Sequence, residues 1–125
     1  MIWVSLSGPL SNFALAIAAA FIMWFLRSFN FLPNDISFNI ITLMYMVLSI
    51  NVLLGVFNMV PVPPLDGSKV LSGLLPPALA ARFQMIEPYG FYILIFLVMS
   101  GSFWSVLGPI ISFIIMALTG RISLY

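Results

Sequence analysis

Apolar residues run along this chain in long blocks rather than in alternation. No charged residue stands before Arg27, between Ile36 and Leu65, or between Pro88 and Gly120. Each gap exceeds the roughly 20 residues that a helix needs to cross a bilayer. The pattern predicts an all-α fold, a polytopic transmembrane helical bundle forming one membrane domain over residues 1–125. Its membrane segments are expected at 9–27, 36–60 and 88–101, with a shorter one at 103–119 and an interfacial helical stretch at 68–87. One signal peptide cannot account for three separated blocks, because its apolar core is short and single.

Within the first block, proline is tolerated in a first helical turn, so Pro9 is expected to open a helix through Leu10–Leu26. Ala14, Ala16, Ala18, Ala19 and Ala20 supply small side chains that let membrane helices approach closely, which suggests an inside position. Asn12 near the start can bond a neighbouring helix or a helix-end group. Arg27, Asn30, Pro33, Asn34 and Asp35 mark the exit from lipid, with Trp24 at the interface. Asp35, followed by Ser37, can cap the next helix. That helix, Ile36 to Asn58, spans about 35 Å at 1.5 Å per residue. Asn51, Gly55 and Asn58 share one of its faces. They read equally as interhelical glue or as a cavity wall.

The second block ends in Asn58-Met59-Val60-Pro61-Val62-Pro63-Pro64-Leu65-Asp66-Gly67-Ser68-Lys69. Three prolines in four positions remove backbone donors and fix φ, so the helix must end, kink or unwind there. Open backbone at membrane depth is tolerated only against protein or a water-filled cavity. A short helix from Ser68 to Leu75 is stopped by Pro76-Pro77, and Arg82 and Glu87 are read as solvated. Gly101-Ser102 and Gly108-Pro109 interrupt the last block, and a break is expected because some 30 residues of straight helix reach about 45 Å, beyond a hydrocarbon core of roughly 30 Å. Arg121 is expected to close the last segment at the surface.

Composition turns this pattern into a choice of solvent. Of the 125 residues, 63% are apolar and 6% charged, against roughly 45–50% and about 25% in soluble domains. The expected location is therefore an integral one, in contact with membrane lipid. A net charge of +1 and the lack of any basic patch set nucleic acid aside. The chain has no cysteine and no histidine. Disulfides, thiolate chemistry and a serine–histidine pair are thereby excluded. Gly67-Ser68-Lys69 has no glycine-rich phosphate loop before it.

Asp66 remains, as one of three carboxylates. Beside a proline-broken helix it can cap the next helix, pair with Lys69, or bind a metal. A catalytic zinc needs about three protein ligands and an open position. A third use of such a break, an ion site in a small transporter subunit, is disfavoured by the absence of an inverted repeat.

Gly8-Pro9-Leu10-Ser11-Asn12, the run from Asn58 to Gly67, Leu74-Leu75-Pro76-Pro77 and Glu87-Pro88-Tyr89-Gly90-Phe91 together resemble the downstream part of the site-2 protease family of intramembrane zinc metalloproteases, in its compact prokaryotic branch. The similarity covers nearly the whole chain in the right order. It implies an incomplete core of a site-2 protease-like fold in a prokaryotic cell membrane. It also implies that Asp66 is one zinc ligand and that Asn58 contacts substrate or the developing oxyanion. In that family a His-Glu-x-x-His motif on an earlier helix supplies two imidazole ligands and the general base, and the substrates are membrane-bound proteins cleaved in their transmembrane segments. No such motif occurs here. The resemblance therefore implies the C-terminal half of a zinc-dependent intramembrane endopeptidase, inactive as the isolated chain, whose partner is the missing N-terminal half or another chain. The alternative is a catalytically dead membrane scaffold or partner-binding protein.

Overall fold

The structure is a computed structural model that describes residues 2–30 and 32–120. Arg121 lies outside the described residues. Six α-helices and one 3-10 turn follow in order: α1 (Ile2–Phe29), α2 (Asn34–Asn58), α3 (Asp66–Leu74), α4 (Pro77–Gln84), the turn Glu87–Tyr89, α5 (Gly90–Met99) and α6 (Ser102–Thr119). The described residues are helical throughout apart from short connections, as the apolar blocks require. α1, α2 and α6 are each long and apolar enough to cross a membrane.

α1 and α2 form an antiparallel hairpin, and α6 packs on it. Ala16, Ala19 and Met23 of α1 meet Leu48, Val52 and Val56 of α2 and Phe103 and Leu107 of α6 in one core. The alanines are what allow this approach. Ala16 and Ala19 are buried whereas Ala14 and Ala18 face outward, so only one stripe of the alanine-rich run is used. Gly55 performs the same service on α2. A Cβ there would lie 2.8 Å from the Phe13 ring of α1.

Outward, the molecule is apolar. Trp3 and Met99 are 80% and 81% exposed, and Phe21, Trp24, Phe38, Phe96 and Phe113 are also on the surface. An apolar exterior this extensive would aggregate in water and is stable in hydrocarbon. The chain is a helical membrane protein.

Two local expectations need correction. Pro9 does not open the first helix: α1 starts at Ile2 and Pro9 lies inside it, fully buried. As the eighth residue of α1 it forgoes the bond an N–H there would donate to the Ser5 carbonyl, and its ring packs in the interior. Nor does Asp35 cap α2. The N-cap residue is Pro33, with no side-chain cap bond, and Ser37 turns its hydroxyl 3.5 Å toward the Leu32 carbonyl. The last block divides once, at Gly101, whose φ of 80° suits a residue without Cβ. α6 passes through Gly108-Pro109 unbroken, with Pro109 inside the helix and the bond its N–H would have made to the Ser105 carbonyl forgone.

Candidate metal and substrate site

The proline-rich run is a chain of tight turns, not an open strand. The amide of Val62 donates to the Val60 carbonyl (2.8 Å), that of Leu65 to Val62 (2.9 Å) and that of Ser68 to Leu65 (3.1 Å). Pro63 and Leu65 are buried and anchor the loop. The loop then closes on itself. A Cβ on Gly67 would overlap the Met59 carbonyl oxygen and lie 2.6 Å from that of Val60. Asn58 and Asp66 are the residues immediately before each side of this contact. Seven intervening residues thus return the chain to its starting point and set the two sequence-predicted site residues at one junction.

Asp66 is the first residue of α3, and Leu65 occupies the N-cap position. Its carboxylate makes no capping hydrogen bond. Among the described residues it also has no ion pair, and Lys69 is exposed and forms none either. Two of the three uses that the sequence allowed, cap and ion pair, are therefore not made. What the carboxylate does meet is α1: Oδ2 lies 3.2 Å from where a Cβ on Gly8 would stand. The half-buried carboxylate rests over a gap in the wall of the first helix.

Asn58, the last residue of α2, is half-buried and makes no hydrogen bond among the described residues. Asn51, on the same face, is satisfied within its own helix, Nδ2 donating 2.8 Å to the Val47 carbonyl. It glues no helices together. Asn12 lies one turn after Gly8, on the same face of α1. It is half-buried and bonds to nothing among the described residues. The interior end of α1, the end of α2 and the start of α3 thus converge with two carboxamides and one carboxylate still open for partners. Gly8 is the participant that residue chemistry could not reveal, since its contribution is an absent side chain. The Gly8-Pro9 pair was visible only as a motif.

Among the described residues no three His, Cys, Asp or Glu side chains gather in one place. Asp66 alone can supply a single anionic oxygen ligand, short of the three that a catalytic zinc takes. The donor type and its lack of a competing partner fit a metal; the donor number requires ligands from elsewhere.

Residues 34–101, more than half of the chain and including the whole proline-rich loop, match the sequence model of Peptidase family M50. The chain belongs to peptidase family M50. A Bacillus subtilis (strain 168) relative bearing the name "Putative zinc metalloprotease YwhC" is 30% identical over 112 residues, covering 87% of this chain and 50% of the relative. The M50 chain described here thus spans about half the length of the curated relative it matches. No solved structure matches it. The M50 match begins at the first residue of α2 and ends at Gly101, so it includes both Asn58 and Asp66, whereas Gly8 and Asn12 of α1 lie before it.

Proposed function

We propose that this chain is the C-terminal half of a zinc-dependent intramembrane endopeptidase of a prokaryotic cell membrane, with Asp66 as one zinc ligand and Asn58 as a contact to substrate or oxyanion. The observation that carries the reading is the Asp66 carboxylate, half-buried, unpaired among the described residues and lying over Gly8. A carboxylate taken partly out of water without a cation or donor is costly, and a metal ion repays that cost. Membership of M50 and the name of the Bacillus relative support zinc as the metal. Two further ligands and the general base come from a His-Glu-x-x-His segment outside these 125 residues, in which there is no histidine.

Zinc, when bound, supplies Lewis acidity at the scissile carbonyl. The chain's own residues do the rest of the local work. The turns from Val60 to Leu65, stiffened by Pro61, Pro63 and Pro64, hold the Asp66 carboxylate at a fixed place, so little entropy is lost in presenting it. The Asn58 carboxamide, free to donate, stabilises the oxygen on which negative charge develops. Substrates are membrane-bound proteins, met within the bilayer plane.

The test is the coding DNA immediately upstream, followed by zinc content and peptidase assay of the joined protein. An in-frame His-Glu-x-x-His, one zinc per chain and cleavage of a membrane-anchored substrate are expected. If the upstream DNA encodes no such motif, the proposal fails and the inert scaffold is the better account; stoichiometric zinc held by the present chain alone would also overturn it. In the joined enzyme, Asn58→Ala is expected to keep its zinc and lose turnover by roughly 100-fold to 1,000-fold, the usual loss for an oxyanion donor. Gly8→Leu pushes the Asp66 carboxylate out of place and is expected to weaken zinc binding by about 10-fold to 100-fold, read by competition with a chelator.

A further inference from the structure

A second polar place lies at the opposite end of the α1–α2 hairpin. There Arg27, in the last turn of α1, faces one side of α2 across an open groove of about 370 Å³. α2 lines it with Asn34, Ser37, Phe38, Ile41, Thr42 and Tyr45. These positions recur at helical spacing along one face and extend about 16 Å down the helix.

Among the described residues, Arg27, Asn34 and Tyr45 bring donors without an acceptor into this groove. Among the described residues Arg27 has no ion pair and no hydrogen bond, and neither the Asn34 carboxamide nor the Tyr45 hydroxyl has a partner. Ser37 and Thr42 have already spent their protons on the Leu32 and Phe38 carbonyls, at 3.5 and 2.9 Å. Among the described residues no carboxylate lines the groove. Asp35, the nearest acid in sequence, is exposed and makes no ion pair with Arg27. A guanidinium binds phosphate oxygens through paired N–H groups.

We propose that this groove binds the head group of an anionic phospholipid, its phosphate held by Arg27 and Asn34 at the mouth and one acyl chain running along Phe38 and Ile41. A lipid is favoured over a soluble anion because the groove starts at the ends of two membrane-crossing helices and runs inward between apolar walls. Beside it, Phe21, Trp24, Phe25 and Phe29 form a contiguous exposed aromatic cluster on α1, with centroid separations of 4.8–6.5 Å. Trp24 within it is of the kind that lies at the level of lipid head groups.

The test is reconstitution of the chain in phosphatidylcholine bilayers with trace spin-labelled phosphatidylglycerol or spin-labelled phosphatidylcholine. The immobilised fraction gives relative affinity. Phosphatidylglycerol is expected to bind roughly fivefold better, the effect of one basic residue at an anionic surface. Arg27→Gln is expected to bring the ratio to parity and Asn34→Ala to reduce it, both with unchanged helical circular dichroism. Arg82→Gln, an exposed cation outside the groove, is expected to leave the ratio unchanged. Excess inorganic phosphate is expected not to displace the labelled lipid. A wild-type ratio of one, full retention in Arg27→Gln, an equal loss in Arg82→Gln, or displacement by inorganic phosphate each overturns the assignment.

Discussion

Replacing Asp66 by asparagine in the joined enzyme is expected to lower zinc affinity by roughly 100-fold or more, beyond the loss seen when only a ligand's supporting residue is removed. Asparagine keeps the size and shape of the side chain and removes its charge. Because Asp66 caps no helix and forms no ion pair among the described residues, the substitution takes away no internal contact. Membrane insertion and helical content are therefore expected to be unchanged. A capping aspartate would behave differently, with about 1 kcal/mol of stability lost and metal content unaltered. Zinc measured after dialysis, together with thermal unfolding in detergent, separates the two. Equal zinc in variant and parent would remove Asp66 from the ligand set.

The largest expected loss of stability comes from Gly67→Ala. Its new methyl group falls on the Met59 carbonyl oxygen, with the Val60 carbonyl close behind. Both are backbone atoms at the end of α2, held by the turns that follow, so no side chain can rotate away. Either α3 swings out or the end of α2 unwinds, at a cost of about 3 kcal/mol or more. Gly108→Ala is the matched control. A Cβ there meets nothing within 4 Å and lies inside α6, so it is expected to be neutral or to stabilise by up to about 1 kcal/mol. Unfolding in mixed detergent micelles measures both. Should Gly67→Ala match its parent, the closure that brings Asn58 and Asp66 to one junction is wrong.

These two expectations differ in what made them possible. That Asp66 was the residue to watch could be read from chemistry and spacing, since a chain with three carboxylates and no histidine or cysteine offers few donors. Its freedom from capping could not. Leu65 and not Asp66 occupies the N-cap position because the turns of the proline-rich loop, and not side-chain preference, set where α3 starts. Pro9 misled for a related reason. Proline rules describe the bond it loses, whereas its burial in the hairpin decides whether that loss is tolerated. Asn51, on a face that suggested interhelical bonding, is satisfied by the Val47 carbonyl one turn back, an option that periodicity cannot exclude.

The sequence by itself determined the solvent, the helical class, the break after Asn58 and the few side chains able to carry chemistry. Each follows from local composition and backbone stereochemistry, which act over a turn or two of chain. Tertiary structure alone decided that Gly67 folds back on Met59, that Gly8 leaves the gap over which the Asp66 carboxylate lies, and that Arg27 faces a donor-lined side of α2. Those are distances between segments remote in sequence, fixed by which small residues let two backbones approach, and no periodicity in one strand of chain encodes them.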